Sequence, residues 1–343
     1  MTIELCIFLF IFQMAVPIIA IIYYGRKDTE VLYISSEYTK NPRYFAERFC
    51  LMFDEAWEKR SDDNRIQLSK IEKVLYMKEE MFEEEDIVEH VLYEPDRDFV
   101  PPPAIQFQKE IYACHNAIIE GTKGMRAIAC KKQLVLGEGT KISRWADAVG
   151  ALVVVGNADL GMSTSSLKAM YIGKNTWFRR LYASKICLGD WPQIERINEI
   201  APLDLYDKKK EIIRNIRYVD QDVVNEDRCL EASIISKEDL RVIEGITLKG
   251  DIHSQKGIRL GQYVTVYGNV FAEEDIFIEK HCRVYGSVYT FKNIYCDGSF
   301  ILGESGKTKS LIAREHIYLQ ENVVVYGYIE AGDRGVYCGE YVT

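Results

Sequence analysis

Residues 240–335 repeat on a fixed step, and that step constrains the fold more than anything else in the chain. Gly250, Gly268 and Gly286 are 18 apart, and eight positions after each comes Ile258, Ile276 or Ile294. One unit runs Ile258, Leu260, Val264, Val266, Gly268, Val270, Ala272, and the next Ile276, Ile278, Cys282, Val284, Gly286, Val288, Thr290. After a 23-residue unit, Ile317, Leu319, Val323, Val325, Gly327, Ile329 and Ala331 restore the pattern. Small or apolar positions alternate with polar or aromatic ones, the two-residue period of a strand. A repeat of this length without helical heptads predicts a solenoid.

The fold class that results is mainly β: a parallel β-helix with three short strands per turn of about 18 residues. Residues 258, 260, 264, 266, 270 and 272 point inward, each stacked on its equivalent one turn later. A single turn cannot cover its own apolar face, so each turn needs its neighbours. Burial of each Val or Ile contributes roughly 1.5–3 kcal/mol. The excess of the longer unit falls in GESGKTK, 303–309, a polar, glycine-containing stretch that predicts an outlooped segment.

A second run of the repeat lies upstream. Leu134, Leu152 and Met170 are 18 apart, with Ile186 following after 16, and Leu136-Gly137, Ile172-Gly173 and Leu188-Gly189 recur behind them. Between the runs the period is lost, and Pro192, Pro202 and the run Lys208-Lys209-Lys210 intervene. Ile234, 18 before Ile252, recovers the register. The predicted organisation is an anchor at 1–27, a helical and acidic linker domain at 28–110, a first β-helix block at 111–189, an insertion at 190–231, and a second block with its C-terminal cap at 232–343.

Residues 3–24 are apolar apart from Glu4, Gln13 and Pro17. As a helix they would span about 33 Å, against a hydrocarbon core of about 30 Å. A signal peptide carries its basic residues ahead of the apolar run, whereas Arg26 and Lys27 come after it here. The expectation is a retained transmembrane helix, a single-pass protein of the cell membrane with its bulk in the cytoplasm. In NPRYFAERFCLMFDEAWEKR, Asn41 is the expected N-cap and Pro42 the first helical residue. Phe45, Phe49, Met52, Phe53, Ala56 and Trp57 form the expected apolar face, docked on the body or capping the solenoid. The acidic run 79–86 reads as a solvated segment, and Pro101, Pro102 and Pro103 as a stiff boundary.

Net charge is −9, which excludes nucleic acid as the main partner. The nine cysteines are dispersed and never form a CxxC pair, so reduced thiols and no metal site are expected. Cys282 and Cys296 occupy inward slots. No phosphate-binding GxxxxGK[ST], GxSxG or HExxH motif is present, and LGESGKTKS at 302–310 has the wrong glycine spacing. No cofactor and no catalytic residue is predicted. His90, His115, His253, His281 and His316 form no recognisable constellation, with His253 aligned on Phe271 and Tyr289, and His281 on Tyr263.

The repeat, in GDIHS, in YGNVFAEEDIFIEKHCRVYGSVYTFKNIYCDG and in VVYGYIEAG, resembles the bactofilins, bacterial polymer-forming cytoskeletal proteins. The resemblance covers the two repeat blocks, about half of the chain. It implies a triangular right-handed β-helix that polymerises end to end without nucleotide, some members having a membrane-binding N-terminus. The chain departs from that pattern in its two blocks, its full hydrophobic span and its extra segment before residue 110. The expected protein is a membrane-anchored, non-enzymatic scaffold that self-associates or recruits partners.

The same spacing also suits left-handed β-helix acyltransferases, because Leu260, Val266, Ala272, Ile278, Val284 and Thr290 are six apart. Such hexads prefer small residues after the aliphatic one. Here Gly261, Tyr267, Glu273, Glu279, Tyr285 and Phe291 stand in that place, and the dominance of bulky residues weighs against tight corners. Period alone leaves handedness open. The candidate assembly or partner face is an outward aromatic ladder of Tyr267, Tyr285 and Tyr326 with the parallel pair Phe271 and Tyr289. The tail after Ala331 is expected either to cap the coil or to join another copy.

Overall fold

The computed structural model describes residues 41–59, 66, 68, 74–76, 87–122, 124–189 and 211–339. They form a parallel β-solenoid of about 13 turns. The predicted register is present. Leu240, Ile258, Ile276, Ile294 and Ile317 stack in parallel pairing on one side. Val266, Val284, Leu302 and Val325 stack on another. All nine are buried. Cys282 and Cys296 fill inward positions among them as small apolar groups. Every described cysteine is free.

The regular glycine step has a steric cause. A Cβ at Gly250, Gly268 or Gly286 would overlap the backbone of the preceding turn, so this corner closes only on glycine. Polar ladders tie this corner and a second one from turn to turn. Asp251 Oδ1 accepts the Asn269 N–H at 2.7 Å, and Asn269 Oδ1 accepts that of Ser287 at 2.9 Å. Asp239 takes the Gly257 N–H at 2.9 Å, Asp275 that of Asn293 and Asn293 that of His316, both at 3.0 Å. Each bond satisfies a backbone donor where the strand ladder is interrupted.

Both blocks begin earlier than the periodicity indicates. Parallel pairing already links Val74–Tyr76 to Val91–Glu94, and the latter to Gln106–Ala113, ahead of position 111. Val74 pairs with Val91 and Leu92 with Ile111, one short of the regular step and then one beyond it, which blurs the repeat. The stretch 28–110 therefore contains strands of the first block as well as a helix. In the second block, Glu211–Arg214, Tyr218–Val219 and Cys229–Leu230 make a full turn inside the expected insertion. Glu211 pairs with Ala232, Tyr218 with Arg241 and Cys229 with Thr247. Only the last of these keeps the regular step, so no fixed period is visible there. The outlooped 303–309 segment is present, closed by an antiparallel bridge between Glu304 and Lys307.

The C-terminal end of the second block neither caps itself nor waits for another chain. The strand Val323–Tyr337 pairs antiparallel with Thr176–Leu188, the last turn of the first block. Leu188 faces Val323, Ile186 faces Val325, Leu181 faces Ile329 and Thr176 faces Tyr337, so the pairing covers all three sides of the coil. The two blocks meet end to end, and their inward side chains form one apolar core across the joint. Gly335 is required there, because a Cβ would overlap the Phe178 ring opposite it. Arg180 Nε meets Glu330 Oε1 at 2.9 Å across the seam.

The helix α1, Tyr44–Glu58, lies on the first block. Arg43 is its N-cap residue, so the helix starts later than Asn41 and Pro42 suggested. Its buried stripe is Ala46, Phe49 and Phe53, packed on Val91, Tyr93, Tyr112, Ala127, Ala129 and Trp145. Phe45 and Met52, expected on that face, are exposed. Positions 46, 49 and 53 keep the helical three-to-four spacing, whereas 45 and 52 belong to the neighbouring stripe. Arg43 reaches Asp147 with two hydrogen bonds, Nε to Oδ1 at 2.8 Å and Nη2 to Oδ2 at 2.7 Å. Among the described residues no helix is long and apolar enough to cross a membrane, and the apolar stretch 3–24 lies outside them.

Candidate functional site

The functional candidates are rows of outward side chains on the second block. Strand alternation sends every second residue outward, and in-register stacking brings equivalent residues about 4.8 Å apart. Tyr267 and Tyr285 stack with ring centroids 4.7 Å apart and planes within 5°. Phe271 and Tyr289 stack at 5.5 Å and 6°. Both pairs are half-buried, held on one side by the sheet. Arg283 lies over the Tyr285 ring at 4.5 Å, a cation–π contact. Burial, and secondarily the neighbouring Tyr285, raises the Tyr267 pKa above that of an ordinary phenol.

Tyr326 takes the same slot two turns beyond Tyr285, without contact to it. Gly303 occupies the intervening turn, since Leu302 is the residue that pairs with Val325. Tyr326 is instead 7% exposed, in the seam cluster with Cys187 and Val324. The longer unit that places a glycine at this slot also ends the ladder. His253 meets the Phe271 ring edge-on at 4.7 Å, and His281 stacks on Tyr263 at 4.7 Å. Alignment by the repeat places both pairs correctly.

A second row is not apparent from the periodicity. Tyr218, Arg241, Arg259, Phe277, Tyr295 and Tyr318 succeed one another in register on another side of the second block. Phe277 and Tyr295 stack at 4.8 Å, Tyr295 and Tyr318 at 5.1 Å, and Arg259 lies 4.7 Å above the Phe277 ring. The signal was available: Phe277 and Tyr295 are 18 apart, but Tyr318 is 23 further on and Tyr218 another 23 before Arg241.

At the outer end of this row is a cleft of about 410 Å³, lined by Arg217, Tyr218, Glu238, Asp239, Arg241 and Arg259 among others. Its acids are already engaged. Glu238 accepts from Lys256 Nζ at 2.6 Å, and that hydrogen bond lowers its pKa below the usual carboxylate value. Asp239 holds the Gly257 N–H, and the cleft residue Arg259 pairs with Glu279 outside it at 3.5 Å. Arg217 and Arg241 are exposed and make no ion pair among the described residues. The cleft thus presents unpaired guanidinium groups beside the exposed Tyr218 ring and the half-buried Phe277, a combination that accepts carboxylates and apolar side chains together.

No protein-family model matches the chain, nor does any curated protein or solved structure.

Proposed function

We propose that the chain is a bactofilin-like scaffold: a membrane-anchored, non-enzymatic β-solenoid that self-associates or recruits partners on the cytoplasmic side of the cell membrane. The observation that carries this reading is the solenoid whose outward side chains recur as rows of like groups instead of converging on one reactive centre. Repeated rows suit a repetitive or extended partner, since each turn offers the next contact in register. The apolar stretch 3–24 with Arg26 and Lys27 behind it supports the anchor and its orientation.

Two measurements test it. The full chain should remain with the membrane fraction through alkaline extraction, and deletion of residues 1–27 should release it. A full chain recovered without the membrane would end the anchored reading. In detergent micelles, light scattering and electron microscopy should show mass rising with protein concentration. A constant monomer mass would remove self-association and leave only partner recruitment, which crosslinking in native membranes then detects or denies.

A further inference from the structure

The joint between the blocks leaves the molecule with two outer ends, one from the start of each block, and these ends differ in charge. At the first block's outer end, Tyr76 and Ile87 flank a ten-residue connection, 77–86. The sequence MKEEMFEEEDIVEH, 77–90, has seven acidic residues against Lys78. At the second block's outer end, KKKEIIRNIR, 208–217, has five basic residues against Glu211. The arginine cleft belongs to this basic end, with Arg217 and Tyr218 in its outermost described turn.

We propose that the cleft of Arg217, Arg241 and Tyr218 binds the acidic segment 79–86 of a second copy of this chain, so that copies associate head to tail. The proposal rests on the self-association reading above and names its contact. Three observations select this occupant. Arg217 and Arg241 make no ion pair among the described residues, while Glu238 and Asp239 of the same cleft are already engaged. The acidic segment carries Met81 and Phe82 between its glutamates, apolar groups that match Tyr218 and Phe277. The third is reach. About 13 turns separate the ends, roughly 60 Å at about 4.8 Å per turn. A ten-residue connection reaches out and back by only about 17 Å. The segment therefore cannot enter the cleft of its own molecule, and a second copy supplies it. Glutamates pair with the guanidinium groups, Phe82 packs on Tyr218, and the contact weakens as salt screens the charges.

The test uses the full chain in detergent micelles, with sedimentation velocity at low and high salt. One variant carries Arg217→Glu and Arg241→Glu, the other Glu83→Lys, Glu84→Lys and Glu85→Lys. Each alone should associate about a hundredfold more weakly than the parent, because like charges then face each other. Mixed in equal amounts, the two should associate again, since the intact segment of one meets the intact cleft of the other and the reversed charges at the remaining contact are also opposite. Association of either variant at parental strength, or homodimers of either, would overturn the head-to-tail contact while leaving self-association standing. A parent chain that stays monomeric at all concentrations would overturn both. Unchanged thermal unfolding of the two variants confirms that charge, and not folding, was altered.

Discussion

The first block seats α1 on the outward row Tyr93, Tyr112, Ala129 and Asp147, which is consecutive across four turns. The equivalent surfaces of the second block have no covering helix among the described residues. Under α1 the row turns small at Ala129, with Ala127 beside it, so that Phe49 and Phe53 can approach, and it buries the Asp147 carboxylate. In the second block one row keeps aromatic side chains over three consecutive turns, Phe277, Tyr295 and Tyr318. The turns that begin each block depart from the regular step, as does the unit that loops out at 303–309. An outward row that repeats itself is thus free to meet something outside the chain, and a row that departs from repetition has been fitted to a neighbour inside it.

The largest expected break in this comparison is at Arg43. Its guanidinium is held above its ordinary pKa chiefly by the hydrogen bond with Asp147. Replacing Arg43 with Ala leaves a carboxylate whose side chain is 5% exposed, supported by the Ser165 hydroxyl at 2.6 Å. Stranding one partner of a buried pair costs about 3–5 kcal/mol. Urea unfolding monitored through Trp57 and Trp145 fluorescence should show the loss, and Arg43→Ala with Asp147→Ala should recover part of it. A loss below about 1 kcal/mol would mean that α1 is not seated as described.

Next in size is the core of the second block. Ile276 and Ile294 are both fully buried in the same stack, so Ile276→Ala and Ile294→Ala should cost similar amounts, about 2–5 kcal/mol each. Unequal losses differing by more than about 1.5 kcal/mol would show that the turns are less interchangeable than their sequences suggest.

The joint is the third test. Gly335→Ala forces a methyl group into the Phe178 ring and should cost about 1–3 kcal/mol, the usual range for overpacking. Phe178→Leu should relieve it, giving a favourable coupling in a double-mutant cycle. Strict additivity would mean that the two blocks do not meet through these residues in solution.

The inward stacks of both blocks were legible in the sequence because equal spacing maps directly onto equal environments, from Leu240 through Ile317 and from Leu134 through Met170. Block starts were not, since Pro95, Pro101 and the long Tyr218–Arg241 step conceal strands that only their partners reveal. The joint could not be read at all: antiparallel pairing between 176–188 and 323–337 depends on contacts far apart in the chain, and no local pattern encodes it. Of the candidate site, the pairs Tyr267–Tyr285 and Phe271–Tyr289 come directly from the step. Tyr326 keeps its slot two turns on, but Gly303 lies between and the joint buries it, and the arginine cleft needs the irregular 211–230 turn that periodicity hides.

The smallest effect concerns the ladder itself. Tyr285→Ala removes a stacked ring worth about 0.5–1.5 kcal/mol beyond its buried area, together with the Arg283 cation–π contact. It also opens Tyr267 to water and deletes its second source of pKa elevation. A phenol whose folded pKa is raised stabilises the fold below the unfolded pKa, and that contribution disappears as pH rises through the folded value. In the parent chain the Tyr267 ring should therefore titrate above pH 10, as read by NMR of ring-labelled tyrosine. In Tyr285→Ala it should titrate closer to an ordinary tyrosine, with a smaller alkaline loss of stability. An unchanged Tyr267 titration would place the ring's burial in the sheet alone and make the ladder incidental, whereas a downward shift shows two rings holding each other out of water.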